Sequence, residues 1–243
     1  MRYHRQEILH FVGAAGQDRL KNGRVLVIGA GGLGCPLLLY LAAAGVGTIA
    51  IADGDFVDIT NLHRQVLFTE DSVGKNKAIE AVRILKERNT EVVLEAISEH
   101  LSESTVDMLK SDWNVIVDCT DRLSTRYLID QQCAGLGLPW VHAAVEGQEI
   151  QVAVFGLSLQ SELPLRYRDV FPPESGNIPE RFSCSIHGVI GTDPGVAALI
   201  QARETINILL GRGSALAAKM LILNLETYQQ YTISLKAKPV QPL

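Results

Sequence analysis

Residues 24–53, RVLVIGAGGLGCPLLLYLAAAGVGTIAIAD, decide the architecture. RVLVIG (24–29) is a short β-branched run ending in glycine, the pattern of a buried strand. PLLLYLAAAG (36–45) then reads as a helix, with Pro36 suited to a first turn and Gly45 to a stop. TIAIAD (48–53) is a second buried strand. Strand, helix and strand in so short a span form a βαβ unit, so the two strands are expected to be parallel.

Outward from this unit the alternation continues. Residues 5–22 read as an amphipathic helical lead-in. Helices are expected at 77–88, at 102–110 behind a capping serine, and at 124–134. Strands are expected at 92–97, 115–118 and 140–143. Beyond residue 145 the rhythm changes. A strand at 150–155 precedes a stretch, 157–187, that holds Pro164, Pro172, Pro173 and Pro179 and shows no period. A long apolar helix at 195–210, a hairpin at 221–225 and 229–235, and a frayed tail complete the chain. The expected fold is α/β: a doubly wound Rossmann-like sheet, mostly parallel, with a C-terminal antiparallel extension.

With 243 residues, 47% of them hydrophobic and 20% charged, the chain is long enough for a substantial core. No apolar run reaches the roughly 18–20 residues of a membrane span, and MRYHRQEIL lacks the apolar stretch of a signal peptide. Cys35, Cys119, Cys133 and Cys184 form no CxxC pair, so a disulfide framework is not expected and the cytoplasm is the expected compartment. A net charge of −5 with mixed signs and no basic run points away from nucleic acid.

GAGGLG (29–34) fits GxGxxG between a strand and a helix, where backbone approaches a phosphate at the helix N-terminus. Asp53 ends the second strand, where a carboxylate holds ribose hydroxyls. Those two features alone fit an NAD-dependent dehydrogenase. The following stretch, ADGDFVDITNLHRQ (52–65), gathers Asp53, Asp55, Asp58, Asn61, Arg64 and Gln65, and GKNK (74–77) adds two lysines. A triphosphate carries about four negative charges and needs fixed cations, which Arg64 and Lys77 offer. The plainer alternatives are a surface ion pair for Arg64 and solvated helix positions for Lys75 and Lys77. DCTD (118–121) falls at the carboxyl edge of the sheet, where Asp121 suits either Mg²⁺ or a helix N-cap.

RYHRQ (2–6), GAGGLG, DGDFVDITNLHRQ, GKNKA and DCTD, in this order, resemble the ThiF/MoeB/HesA family, relatives of ubiquitin-activating enzymes. The resemblance spans residues 2 to about 233 and implies one ThiF-type adenylation domain over 1–243. Its nucleotide-binding part is expected at 1–145 and its carrier-binding, crossover-loop part at 146–243. The implied reaction is ATP-dependent adenylation of the C-terminal glycine of a small ubiquitin-like sulfur carrier protein, in a thiamine, molybdopterin or related sulfur-transfer pathway. Carried over residue by residue, Gly29, Gly31, Gly32 and Gly34 line the nucleotide. Asp53 takes the ribose, with Asp55 beside it. Asn61, Arg64, Gln65 and Lys77 surround the phosphates, and Asp121 serves magnesium. Arg5 is expected to reach into the neighbouring subunit's site as an arginine finger, which implies a homodimer. Cys184, in FSCSIHG, is expected to take sulfur chemistry or an acyl-disulfide link to the carrier. A thiol near a helix N-terminus, Arg181 and His187 suits that role, and an inert half-buried cysteine is the plainer alternative.

The chain departs from the family at three places. Arg166 and Asp169 stand where a first pair of zinc cysteines is usual, and no second pair follows, so a four-cysteine zinc site is not expected. Arg122 follows DCTD where the family usually has asparagine. GTDPG (191–195) opens the late helix where apolar residues are usual. No rhodanese-like extension is present, so a sulfur donor, a cysteine desulfurase or a rhodanese, is expected as a separate protein. Adenylation of another carboxylate, such as a peptide C-terminus, is the alternative activity.

Overall fold

The computed structural model describes residues 2–157, 164–173 and 188–236. Eight strands form one sheet in the order β3-β2-β1-β4-β5-β6-β7-β8. They are β1 (Arg24–Ile28), β2 (Thr48–Ala52), β3 (Val93–Ile97), β4 (Val115–Asp118), β5 (Trp140–Glu146), β6 (Glu149–Phe155), β7 (Lys219–Asn224) and β8 (Gln230–Ser234). The first five are mutually parallel, and β6, β7 and β8 continue the sheet antiparallel. The helices are α1 (His4–Glu7), α2 (Gly13–Asn22), α3 (Gly34–Ala44), α4 (Lys77–Arg88), α5 (Leu123–Leu136), α6 (Tyr167–Val170) and α7 (Thr192–Leu209).

Both faces of the central strands are covered, which is why they read as continuous apolar runs. Val25 and Val27 pack on one side with Leu37, Leu41 and Ile49, beneath α3, α4 and α7. Leu26 and Ile28 pack on the other with Leu109, Ile129, Trp140 and Phe155. At the far edge β8 is exposed along its whole length.

Three local expectations change. The lead-in is two helices, broken where Gly13 takes φ +59°. The segment expected as a helix at 102–110 is instead a 3₁₀ turn over Val106–Lys110. There Thr105 Oγ1 accepts the Ser102 N–H at 2.9 Å and donates to the His100 carbonyl at 2.7 Å, so the hydroxyl occupies groups a helix would use. Trp113 Nε1 donates to the Met108 carbonyl at 2.8 Å and closes the turn. Finally, α7 begins three residues earlier than expected, because Pro194 falls within its first turn, where no backbone N–H is needed.

Candidate active site

The chain runs from β1 outward to β3, then crosses back to β4 beside β1. The reversal opens a crevice above the carboxyl ends of β1 and β4, the usual ligand position in such sheets. A cavity of about 610 Å³ occupies it. Of the residues assigned to the nucleotide by sequence, Gly29, Gly31, Gly32, Asp53, Asp55, Asn61, Arg64, Gln65, Lys77 and Asp121 all line this cavity.

Gly34 does not line it, which corrects one expectation. A Cβ there would stand 2.1 Å from the Gly29 carbonyl oxygen, so this glycine lets α3 pack onto β1. Gly29 itself takes φ +102° as the chain leaves the strand. Gly31 has open space before it, with its nearest neighbour, Gln65 Nε2, at 3.8 Å.

Asp53 is buried, and its two carboxylate oxygens accept the Ala30 N–H at 2.7 Å and the Asp55 N–H at 2.9 Å. The carboxylate thus ties the glycine loop to the turn after β2. Asn76 secures the turn from the other side. Its Oδ1 caps α4 by accepting the Ile79 N–H at 3.1 Å, while its Nδ2 donates to the Asp53 and Asp55 carbonyls at 3.1 and 3.2 Å. This places Lys77 at the first position of α4, buried, with Nζ 3.2 Å from Asp55 Oδ2. Burial pushes the Asp55 carboxyl up, but Lys77 and His100 outweigh it and hold the group below its usual range. Lys75 does not line the cavity and pairs with Glu80 at 3.6 Å.

The segment 58–65 is a tight turn built on its own side chains. Asp58 Oδ1 accepts the Thr60 N–H at 2.8 Å and caps the 3₁₀ turn Ile59–Asn61. Arg64 donates from Nη1 to the Thr60 carbonyl at 3.3 Å and lies 2.8 Å from His63 Nε2. Gln65 donates to Asn61 Oδ1 at 3.1 Å, and its Oε1 is buried without a partner among the described residues. Asp121 is exposed at the rim, with no hydrogen bond or ion pair among the described residues, so its oxygens are free for a hard cation.

Sequence reasoning missed the inner wall. Asp118, fully buried at the end of β4, accepts from Thr120 N–H at 3.0 Å, Thr120 Oγ1 at 2.7 Å and His142 Nδ1 at 3.1 Å, and lies 3.3 Å from Arg126 Nε. Burial pushes this carboxyl up, but the His142 bond and the Arg126 charge win and hold it below the usual range. Burial pushes the His142 imidazole below its ordinary value, so it is neutral and donates to the carboxylate through Nδ1. Tyr167 packs on His142 with ring centroids 5.4 Å apart, and burial pushes its phenol up to about 12. His142, Arg126 and Tyr167 line the cavity, as do Ala144, Glu146 and Gln151 toward the β5–β6 hairpin. The first aspartate of DCTD carried the available signal, a charged residue inside a strand otherwise apolar.

His100, Asp53 and Asp55 bring three possible metal ligands within 4.8 Å of one another. Within this cluster Asp55 already pairs with Lys77 and, at 3.2 Å, with His100. Arg5 is exposed on α1 and does not line the cavity of its own chain. Cys184, Arg181 and His187 lie outside the described residues. Cys35, Cys119 and Cys133 are buried, and burial raises each thiol, Cys35 to about 12, so they are packing groups. At the positions where zinc cysteines are usual, Asp169 Oδ2 accepts the Arg166 N–H at 3.0 Å. The Arg166 and Arg168 side chains pair with buried Asp130 at 3.5 and 3.0 Å.

Known proteins resemble this chain throughout its length. A Thermus thermophilus protein named sulfur carrier protein adenylyltransferase is 43% identical over 225 residues, covering 91% of this chain and 82% of that one. The SAMP-activating enzyme E1 of Haloferax volcanii is 37% identical over 244 residues, covering 100% and 87%. The Mycobacterium tuberculosis protein named probable adenylyltransferase/sulfurtransferase MoeZ is 38% identical over 243 residues, covering 99% of this chain but 61% of the relative. Among solved structures, Escherichia coli MccB with MccA-N7isoASN superposes with a TM-score of 0.82 at 25% identity, covering 98% of this chain and 72% of that one. From residue 3 to residue 242 the sequence matches the model of the ThiF family, and the chain belongs to that family.

Proposed function

We propose that this chain adenylates, with ATP, the C-terminal glycine carboxylate of a small ubiquitin-like sulfur carrier protein. One observation carries the reading: Arg64, Lys77 and Asp121, from three separate segments, line one cavity with the Gly31–Gly32 turn. The names borne by the Thermus and Haloferax relatives support the choice of substrate.

In this reading the glycine turn and the α3 N-terminus receive the phosphates, and Asp53 receives the ribose. A carboxylate oxygen of the carrier attacks the α-phosphorus. The bond from that phosphorus to the bridging oxygen breaks, and pyrophosphate departs with the electron pair, leaving the acyl-adenylate. Arg64 and Lys77 stabilise charge on the departing group. Asp121 has the free oxygens to hold Mg²⁺, which supplies further neutralisation of the phosphates when bound.

Residues 1–145 form the nucleotide part of one adenylation domain and 146–243 the carrier-facing part. Arg5, turned outward on α1, acts on a second copy's site in a homodimer. Cys184 takes the later sulfur step, with sulfur from a separate desulfurase or rhodanese. The protein works in the cytoplasm.

Pyrophosphate exchange with each ubiquitin-like protein of the source genome tests the proposal. Exchange that depends on a protein ending in Gly-Gly supports it, and no exchange with any of them defeats it. Cys184→Ser is expected to leave exchange intact while abolishing sulfur loading of the carrier. The likeness to MccB bound to MccA-N7isoASN favours one second reading, adenylation of a peptide C-terminus. Exchange with short peptides and not with carriers would select it.

A further inference from the structure

We propose, on the adenylation reading above, that Arg122 is a third phosphate-binding cation of the site, placed where the family usually has asparagine. The cavity is lined by four basic side chains, Arg64, Lys77, Arg122 and Arg126. Three of these have protein partners. Arg126 is held by Asp118 and by the Thr120 carbonyl, Lys77 by Asp55, and Arg64 by the Thr60 carbonyl and His63. The Arg122 side chain makes no hydrogen bond or ion pair among the described residues, although the residue is half-buried in the cavity wall.

Asp55 and Asp121 share the cavity with it and neither pairs with it. Asp55 feels its charge, yet Lys77 and His100 occupy the two Asp55 oxygens at 3.2 Å each. Asp121 is adjacent in sequence and stays unpaired at the rim. A guanidinium that lines a cavity with no carboxylate bonded to it has its donors open to an anion that a ligand supplies.

The backbone beneath it is fixed. Arg122 is the N-cap of α5, its carbonyl accepts the Arg126 N–H at 3.3 Å, and the Arg126 side chain is anchored on buried Asp118. The helix N-terminus at the same point adds partial positive charge.

The balance of charge points the same way. Asp118 cancels Arg126, so Arg64, Lys77 and Arg122 face Asp53, Asp55, Asp121 and Glu146 across the cavity. Without Arg122, four carboxylates would face two cations in a site that must accept about four further negative charges.

Calorimetric titration of ATP, and of adenosine as an uncharged probe, into wild type, Arg122→Asn and Arg122→Lys tests the proposal. Arg122→Asn is expected to weaken ATP about tenfold, as loss of one charge-assisted hydrogen bond does. Adenosine affinity and thermal stability should stay at wild-type levels, because the side chain bonds nothing among the described residues. Arg122→Lys should recover most of the ATP affinity, and the Asn variant's affinity should depend less on salt. Unchanged ATP affinity in Arg122→Asn overturns the assignment. So does equal weakening of ATP and adenosine, which would move the side chain to the base or ribose. If wild type shows carrier-dependent pyrophosphate exchange while Arg122→Asn matches it, only this inference falls. If wild type binds no ATP, the adenylation reading falls with it.

Discussion

The outer and inner walls of the cavity hold charge in opposite ways. On the outer wall, Arg64, Asp121 and Arg122 sit partly in water, and Lys77 turns from the interior toward exposed Asp55. On the inner wall, Asp118, His142 and Arg126 are each at most 3% exposed, with His142 and Arg126 both paired to the Asp118 carboxylate. The outer groups keep contact with water, and in the proposed function they exchange partners when an anion arrives. The inner groups form a closed set whose members cannot change without leaving a charge unpaired. In the proposed function, the difference separates residues assigned to the ligand from residues that hold the loop 118–122 in place for them.

Removing the centre of the inner wall should have the largest effect. Asp118→Ala leaves Arg126 buried beside a neutral His142, with Thr120 also losing its acceptor. Breaking a buried pair from one side costs about 3–5 kcal/mol, and urea unfolding should register it. A loss below about 1 kcal/mol would show that water replaces the carboxylate, and the proposed contrast between walls would fail.

On the outer wall, Lys77→Ala should lower pyrophosphate exchange by about 10²-fold, while Arg64→Ala does the same with little change in unfolding. Activity near wild type in both would remove these side chains from the chemistry.

The two walls also differ in how legible they were. Arg64, Lys77 and Asp53 lie in stretches whose spacing and residue types suit a phosphate and a ribose, and local sequence sufficed to bring them to one cavity. The central strands were legible for a similar reason: β1, β2 and β4 are apolar runs bounded by glycine or aspartate. His142 was not legible, since its partner Asp118 lies 24 residues away and meets it only through parallel pairing of β4 with β5. His100 was hidden by the turn at 102–110, which looked helical until the Thr105 hydroxyl is seen taking its backbone groups. Gly34 shows the reverse error. Its place in GxGxxG suggested a ligand, but the Gly29 carbonyl behind it shows that packing requires it.

A pair of glycine substitutions sharpens that last distinction. Gly34→Ala drives a methyl into the Gly29 carbonyl and should cost about 1–3 kcal/mol or more, read by thermal unfolding. Gly31→Ala meets nothing closer than 3.8 Å, so it should fold normally and instead raise the KM for ATP, because the methyl occupies the cavity. The opposite pattern would mean that the loop is held by Gly31 and opened by Gly34.

The smallest effect expected is a pH dependence from the inner wall. His142 is surrounded by Asp118 on β4, Arg126 on α5 and Tyr167 on α6, and its folded pKa lies below the ordinary value. The unfolded chain, with a histidine pKa of about 6.5, therefore takes up a proton before the folded one does. Stability from this group is complete above that pH and falls as pH drops below it, with a slope approaching about 1.4 kcal/mol per pH unit. Asp118 is also depressed, but its contribution persists above the ordinary carboxylate range and is lost only at lower pH, so the two windows separate. His142→Gln retains a donor for Asp118 and should flatten the unfolding free energy between about pH 6.5 and 5 without changing the acid limb. A slope unaltered by the substitution would place the titrating group elsewhere, and a slope of the opposite sign would mean that His142 is charged in the folded protein, making the inner wall a reserve of positive charge open to the ligand.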